Sequence, residues 1–281
     1  MLQSIDILGK SINLYDILNN IGVLCMCLFL VLQKDKLKSI SLISTYKQYL
    51  KKTFFSRHYL LIMIFVLMLL FLGLLLILNP AFGKWFTDGN ANYYGTLLAW
   101  VLSTSVCSVV FCCPFNHFFD IVSTGLPLFL SISKLACFFQ GCCYGFAANT
   151  FYFNLKTNRR EFPVQLVESG IALLLFVLLL LYTKKRKHPG TVFPLYLVLY
   201  SFSRLLTEFL RDDLPCVWGK LDAYQIISIV SFAIGLVALV VVIRIGSKID
   251  AFTYARYKTF LDQKVKRINK KRRIYHKKKK R

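Results

Sequence analysis

The chain has 281 residues, 56% of them apolar, and its 36 Lys and Arg outnumber 13 Asp and Glu for a net charge of +23. So apolar a composition with so little acid excludes an ordinary soluble domain. Several stretches reach the roughly 20 apolar residues that a helix needs to cross a bilayer, so the class is integral membrane.

The charge is gathered in the first connecting loop, in Lys184–Lys187 and in the end from Lys264 to Arg281. Clusters of this kind suit nucleic acid, anionic lipid or the cytoplasmic bias of Lys and Arg in membrane proteins. Topology is the simplest of the three. Contact with membrane lipids is compatible with it, and no nucleic-acid partner is expected.

In chain order, the predicted spans are 12–32, 59–79, 94–113, 119–139, 165–183, 190–211 and 223–245. The first starts late and has no basic lead-in, so it reads as a retained helix rather than a signal peptide. Cys25, Cys27, Cys107, Cys112 and Cys113 fall in apolar helices and read as small buried side chains. No CxxC pair occurs among the nine cysteines and the four histidines are scattered, so no zinc site is expected.

The connections give the topology. Loop 33–58 has seven Lys or Arg, loop 184–189 reads KKRKHP, and the end is basic. With seven crossings these share one side, which puts the amino terminus outside and the carboxyl terminus in the cytoplasm. Loop 140–164 is the exception, since Lys156, Arg159 and Arg160 then lie outside. The expected fold is all-α and polytopic, with about seven transmembrane helices. Residues 1–249 form the membrane domain and 250–281 a basic, partly disordered cytoplasmic tail. No internal repeat of the transporter kind is visible.

Charges inside a bilayer cost several kcal/mol, so each one is a functional candidate. The sixth span has the densest set. Tyr200, Arg204, Glu208 and Arg211 are spaced to share one helical face, with Arg204 about 12 Å below the outer end. One reading is an Arg204–Glu208 pair that neutralises itself while Arg211 snorkels outward. The other is an arginine facing a cavity for an anionic headgroup, since guanidinium grips phosphate with two bonds.

Lys134 lies at similar depth in the fourth span. It either snorkels alone or completes a phosphate clamp with Arg204 if the two faces meet. After it, Gly141 and Gly145 bracket a short run that reads as a tight turn with close backbone approach. Cys142 and Cys143 lie in that run, where a disulfide to Cys216 is conceivable. In the fifth span Gln165, Glu168 and Ser169 share a face, and an acid in a first turn is also what the helix dipole favours. Asp120, near the inner end of the fourth span, reads as a cap or first-turn acid. Tyr93 and Tyr94 open the third span, where aromatic belts place tyrosine without further function.

Taken together and in this order, residues 93–225 resemble the prolipoprotein diacylglyceryl transferase family. The family's glycine-bounded signature after an arginine is similar to Lys134-Leu-Ala-Cys-Phe-Phe-Gln-Gly-Cys-Cys-Tyr-Gly145. Its His-Pro-x-Gln-Leu-Tyr-Glu segment is similar to Phe162-Pro-Val-Gln-Leu-Val-Glu168. Its Tyr-Gly-x-x-Arg-Phe-x-x-Glu-x-x-Arg helix is similar to Tyr200-Ser-Phe-Ser-Arg204-Leu-Leu-Thr-Glu208-Phe-Leu-Arg211, and a Gln before the last helix is matched by Gln225.

The resemblance implies an enzyme of the bacterial plasma membrane that uses no cofactor. Such an enzyme moves a diacylglyceryl group from phosphatidylglycerol to the lipobox cysteine of a prolipoprotein signal peptide. It implies that Arg204 holds the phosphate, with Lys134 in place of a second arginine. Glu208 and Tyr94 would complete the catalytic set. Arg211, Gln165, Glu168, Gly141, Gly145, Tyr200 and Asp120 would bind substrate. Five positions depart from the family pattern: Lys134 for arginine, Cys137 for asparagine, Cys142 for an acidic residue, and Tyr94 and Phe162 for histidines. Lysine keeps the charge but loses the two-bonded fork. The alternatives are a relative that binds lipid and uses another acceptor or none, and a small transporter, which would line a path to both faces with charge.

Overall fold

A computed structural model describes residues 4–7, 10–33, 35–37, 59–86, 93–150, 152–212, 216–218 and 221–279. Its helices are α1 (Leu14–Leu32), α2 (Tyr59–Phe86), α3 (Tyr93–Val110), α4 (Phe115–Thr124), α5 (Leu126–Gln140), α6 (Val164–Lys185), α7 (Val192–Glu208) and α8 (Ala223–Lys279). Three two-stranded antiparallel pairs lie between them: β1 (Ser4–Ile7) with β2 (Lys10–Asn13), β3 (Phe153–Asn154) with β4 (Arg159–Arg160), and β5 (Cys216–Trp218) with β6 (Leu221–Asp222).

Five stretches are long and apolar enough to cross a membrane: Leu14–Leu32, Leu61–Leu78, Phe115–Gln140, Val164–Lys185 and Ala223–Arg267. Their exposure is inverted relative to a soluble protein. Leu28 of α1, Phe65 of α2 and Leu174 of α6 are exposed, whereas Asp120, Glu161, Gln165, Arg204 and Glu208 are buried. A surface of this kind suits hydrocarbon, where polar groups must find partners inside the protein.

The span expected at 119–139 is two helices. Gly125 separates α4 from α5, and Pro127 occupies the first turn of α5, where its missing N–H costs least.

The chain folds as two compact units, residues 1–32 with 120–244 and residues 33–119 with 245–281. In the first, α5 packs between α1 and α6, and α6 also meets α7. Close approach depends on small residues. A Cβ on Gly22 would lie 3.1 Å from Phe129 Cδ2, and one on Gly235 would lie 2.9 Å from Val198 Cγ2. Between α5 and α6 the Ser131 and Ser169 hydroxyls lie 3.1 Å apart, and Ser169 donates to Ser131 O at 2.9 Å.

In the second unit, α2 packs on α3 with Phe71 edge-on to Trp100, ring centroids 5.1 Å apart. The segment 250–281, expected to be partly disordered, is helical as far as Lys279. Specific contacts anchor its first turns. Asn116 N donates to Asp250 at 3.1 Å, Asn116 Nδ2 donates to Gly246 O at 2.9 Å, and Leu261 packs with Cys112.

Candidate active site

The buried charges of α5, α6 and α7 meet at one end of these antiparallel helices. Lys134 lies six residues before the end of α5, Glu168 four residues into α6 and Arg204 four residues before the end of α7. Those offsets put the three at closely similar depth.

Glu168 is the hub. Lys134 Nζ lies 2.7 Å from Glu168 Oε2, Arg204 Nη1 bonds Glu168 Oε1, and Arg211 Nη1 is 3.9 Å from the same oxygen. A second carboxylate, Glu208, takes Arg204 Nη2 at 2.7 Å and Arg211 Nε at 3.4 Å. Thr207 Oγ1 donates to Glu168 at 3.4 Å, and both guanidinium groups lie over the Tyr224 ring, 5.3 and 6.0 Å from its centroid.

Lys134 and Arg204 therefore do meet, on one shared carboxylate rather than directly. The groups joined by these ion pairs are three cations and two carboxylates, an excess of one positive charge. Because Glu168, Arg204 and Glu208 are buried and Lys134 and Arg211 nearly so, that excess is weakly screened and favours an anion.

The cluster borders a narrow cleft of about 10 Å³, room for about one water molecule. Lys134, Glu168, Ser203, Arg204 and Thr207 form its polar part. Leu130 and Ala172, each one helical turn deeper than Lys134 or Glu168, form an apolar part with Ile171. Tyr200 lies one turn below Arg204 and stacks on Tyr196 at 5.7 Å. The cleft thus changes from charged to apolar over about 6 Å, one turn of helix.

The turn after α5 is fixed by its glycines. Gly141 is left-handed (φ 69°), which turns the chain back so that Cys142 N donates to Cys137 O at 3.2 Å. Asn154 Nδ2 donates to Gly141 O at 3.1 Å and to Glu161 at 2.8 Å. Gly145 has no room for a side chain, since a Cβ would lie 2.5 Å from Phe162 O and 2.9 Å from Leu210 O.

Residues 144–147 pair with 161–162 and with 210–212, tying the turn to both neighbouring helices. Gln165 adds a tie, donating to Cys142 O at 2.7 Å, while its own Oε1 is buried and accepts no hydrogen bond among the described residues. Hydrogen bonds from the Cys137 and Cys142 thiols, helped by Arg211 and Lys134 and opposed by burial, hold the Cys143 thiol well below the ordinary thiol range.

Two of the three loop cations that broke the expected charge pattern have side-chain partners. Arg159 bonds Glu161 at 2.8 Å and Asp212 at 3.0 Å, and Arg160 bonds Asn149 at 3.2 Å.

Other predicted residues lie elsewhere. Asp120 is not brought to the cluster: it pairs with Arg186 at 2.6 Å and accepts the amides of Gly190 and Val192 at 2.6 and 2.9 Å. It therefore caps α7 rather than its own helix. Gln225 caps α8 in a reciprocal box, donating N–H to Asp222 at 2.8 Å and accepting from Asp222 N at 3.1 Å. Tyr94 lies in the first turn of α3, in the second unit, and its side chain, like that of Cys216, is outside the described residues. Tyr224 and Thr207 went unread in the sequence, because a tyrosine at a helix start reads as belt and a threonine in a helix as packing.

The chain is 31% identical over 162 residues to a phosphatidylglycerol–prolipoprotein diacylglyceryl transferase of Symbiobacterium thermophilum, covering 54% of the chain and 60% of that protein. Proteins of the same name match at 32% over 127 residues in Clostridium tetani (42% and 50% covered) and at 30% over 144 residues in Clostridium perfringens (48% and 56% covered). The chain thus spans between half and three fifths of the length of these relatives. The model of the family described as prolipoprotein diacylglyceryl transferase matches residues 5–241, a stretch containing every member of the cluster, and the chain belongs to that family.

Proposed function

We propose that this protein transfers the diacylglyceryl group of phosphatidylglycerol to the thiol of a lipobox cysteine in a prolipoprotein signal peptide. The observation that carries this reading is the cleft. An excess of buried positive charge at its polar end, over an apolar layer one turn deeper, matches a lipid whose phosphate is anionic and whose glyceryl carbons lead to acyl chains. With room for about one water, the cleft widens to take the headgroup and glyceryl carbons while the chains remain in the bilayer.

In this mechanism the phosphate engages Arg204 and Lys134 and displaces Glu208 from Arg204. The thiol sulfur then attacks the glyceryl carbon attached to phosphate. A sulfur–carbon bond forms, the carbon–oxygen bond breaks, and the electron pair leaves with glycerol phosphate, whose growing charge the three cations stabilise. Glu208, released from Arg204, takes the thiol proton. Arg211 and Glu168 hold the cations in place, Tyr200 borders the deeper layer, and the open Gln165 acceptor receives a glycerol hydroxyl. Gly141 and Gly145 keep the turn close to the site. Tyr94 is assigned a catalytic part on the resemblance alone.

The same reading makes the chain a seven-helix protein of the bacterial plasma membrane, with its amino terminus outside and the basic segment 250–281 in the cytoplasm. The five long apolar stretches and the basic loop 184–188 support it.

The test is transfer from labelled phosphatidylglycerol to a lipobox peptide thiol by purified protein beside its Arg204→Ala variant. Transfer by the unmutated protein and its loss in the variant are expected. Phosphatidylglycerol bound by both without transfer would sink the reaction and leave a lipid-binding relative, the reading that Phe162 and Tyr94 at histidine positions favour.

A further inference from the structure

The turn that closes α5 gathers three sulfurs. The Sγ atoms of Cys137, Cys142 and Cys143 all lie within 4.8 Å of one another. The cause is local. Gly141 in the left-handed region folds the chain back over the last turn of α5, which brings residue 142 beside residue 137. Cys143 is itself left-handed, with φ 56°, a conformation that non-glycine residues adopt at a cost of about 1–3 kcal/mol unless something holds them. Besides its interactions with the other two thiols, Cys142 Sγ makes long contacts, 3.8 Å to Cys137 O and 3.7 Å to Gln140 Oε1.

Thiols spaced in this way are close to the arrangement of a metal site. A tetrahedral ion with sulfur at about 2.3 Å holds its sulfurs about 3.8 Å apart, so this cluster closes on an ion with side-chain shifts of about 1 Å or less. Three thiolates and a divalent ion carry one net negative charge. Lys134 and Arg211, which both act electrostatically on Cys143, offset it. Cys142 and Cys143 are only partly buried, which leaves an entry path and a fourth coordination position for water.

We propose that Cys137, Cys142 and Cys143 form a tris-thiolate site for a thiophilic d10 cation, Zn²⁺ or Cu⁺. The spacing, Cys-x4-Cys-Cys across a helix end, is not one of the usual zinc patterns, and the sulfurs converge only because of the glycine turn. The inference is independent of the transferase reading, since it concerns metal binding and not turnover.

The test uses the whole purified protein, reduced and stripped of metal, titrated with Zn²⁺ against a chromophoric competitor and separately with Cu⁺ against a Cu⁺ chelator. Co²⁺ serves as the spectroscopic substitute for Zn²⁺. One equivalent of Zn²⁺ or Cu⁺ per chain is expected, with a thiolate-to-cobalt charge-transfer band where the ion is Zn²⁺. Affinity should fall at least tenfold in each of Cys137→Ser, Cys142→Ser and Cys143→Ser and stay unchanged in Cys107→Ser. Absence of stoichiometric binding of both ions to the unmutated protein would overturn the proposal whatever the variants do. Binding of unchanged affinity in all three serine variants would overturn it equally.

Discussion

Two of the buried charge sites of the first unit lie at opposite ends of α6 and α7, and they differ in one respect. At one end Asp120 is saturated: Arg186 and the amides of Gly190 and Val192 take both its oxygens. At the other end, about 27 Å away along α6, three cations share two carboxylates beside a narrow cleft. Both sites bear the desolvation cost of buried charge. Among the described residues, the ion pairs of the second alone leave a cation in excess, beside a narrow cleft. Local charge balance, and not burial, separates the two.

The largest test of that contrast is a pair of substitutions. Arg204→Ala should lower the transfer rate by about 100-fold or more, the scale of losing a group that stabilises charge in a transition state. Asp120→Asn should leave the rate per folded molecule nearly unchanged and destabilise the protein by about 3–5 kcal/mol, read as a lower unfolding temperature. A rate lost equally in both would break the comparison.

Lys134→Arg and Lys134→Met sharpen it. Arginine keeps the charge and restores the two-bonded fork, so activity should be retained or raised, whereas Met should cost about 10-fold or more in a labelled-lipid assay. Gly145→Ala tests the frame. A Cβ there meets the Phe162 and Leu210 carbonyl oxygens, so the turn should loosen by about 1–3 kcal/mol, seen as faster proteolysis between residues 141 and 162. The smallest effect belongs to Gln225→Ala. It removes half of a capping box and should cost about 0.5–2 kcal/mol of stability with little change in rate, although the family pattern keeps a glutamine there.

Much of the cluster was legible because helical spacing is a local property. Tyr200, Arg204 and Glu208 fall on one face by counting alone, and Lys134 falls at matching depth. Arg211, expected on the same helix, lies beyond the end of α7 in a bridge to Gly145. Glu168 was legible as a candidate only, because an acid in a first turn also answers to the helix dipole. Nothing local says that three cations converge on it. Asp120 was expected at the substrate site by resemblance. Its partners come from residues 186–192, and a pairing across about 70 positions has no sequence periodicity to betray it. Cys137 and Cys142 were read as separate residues because their approach depends on the backbone conformation of Gly141.

By itself the sequence determined the class, the helical spans and the small set of charges worth placing, since hydropathy, helical period and the cost of buried charge act along the chain. Tertiary structure alone decided which charges neutralise one another and which remain in excess. It decided also that the fourth span breaks at Gly125, that α8 runs on to Lys279, and that three sulfurs meet. Each of these depends on side chains far apart in sequence, or on one backbone angle, and those are fixed only when the helices pack.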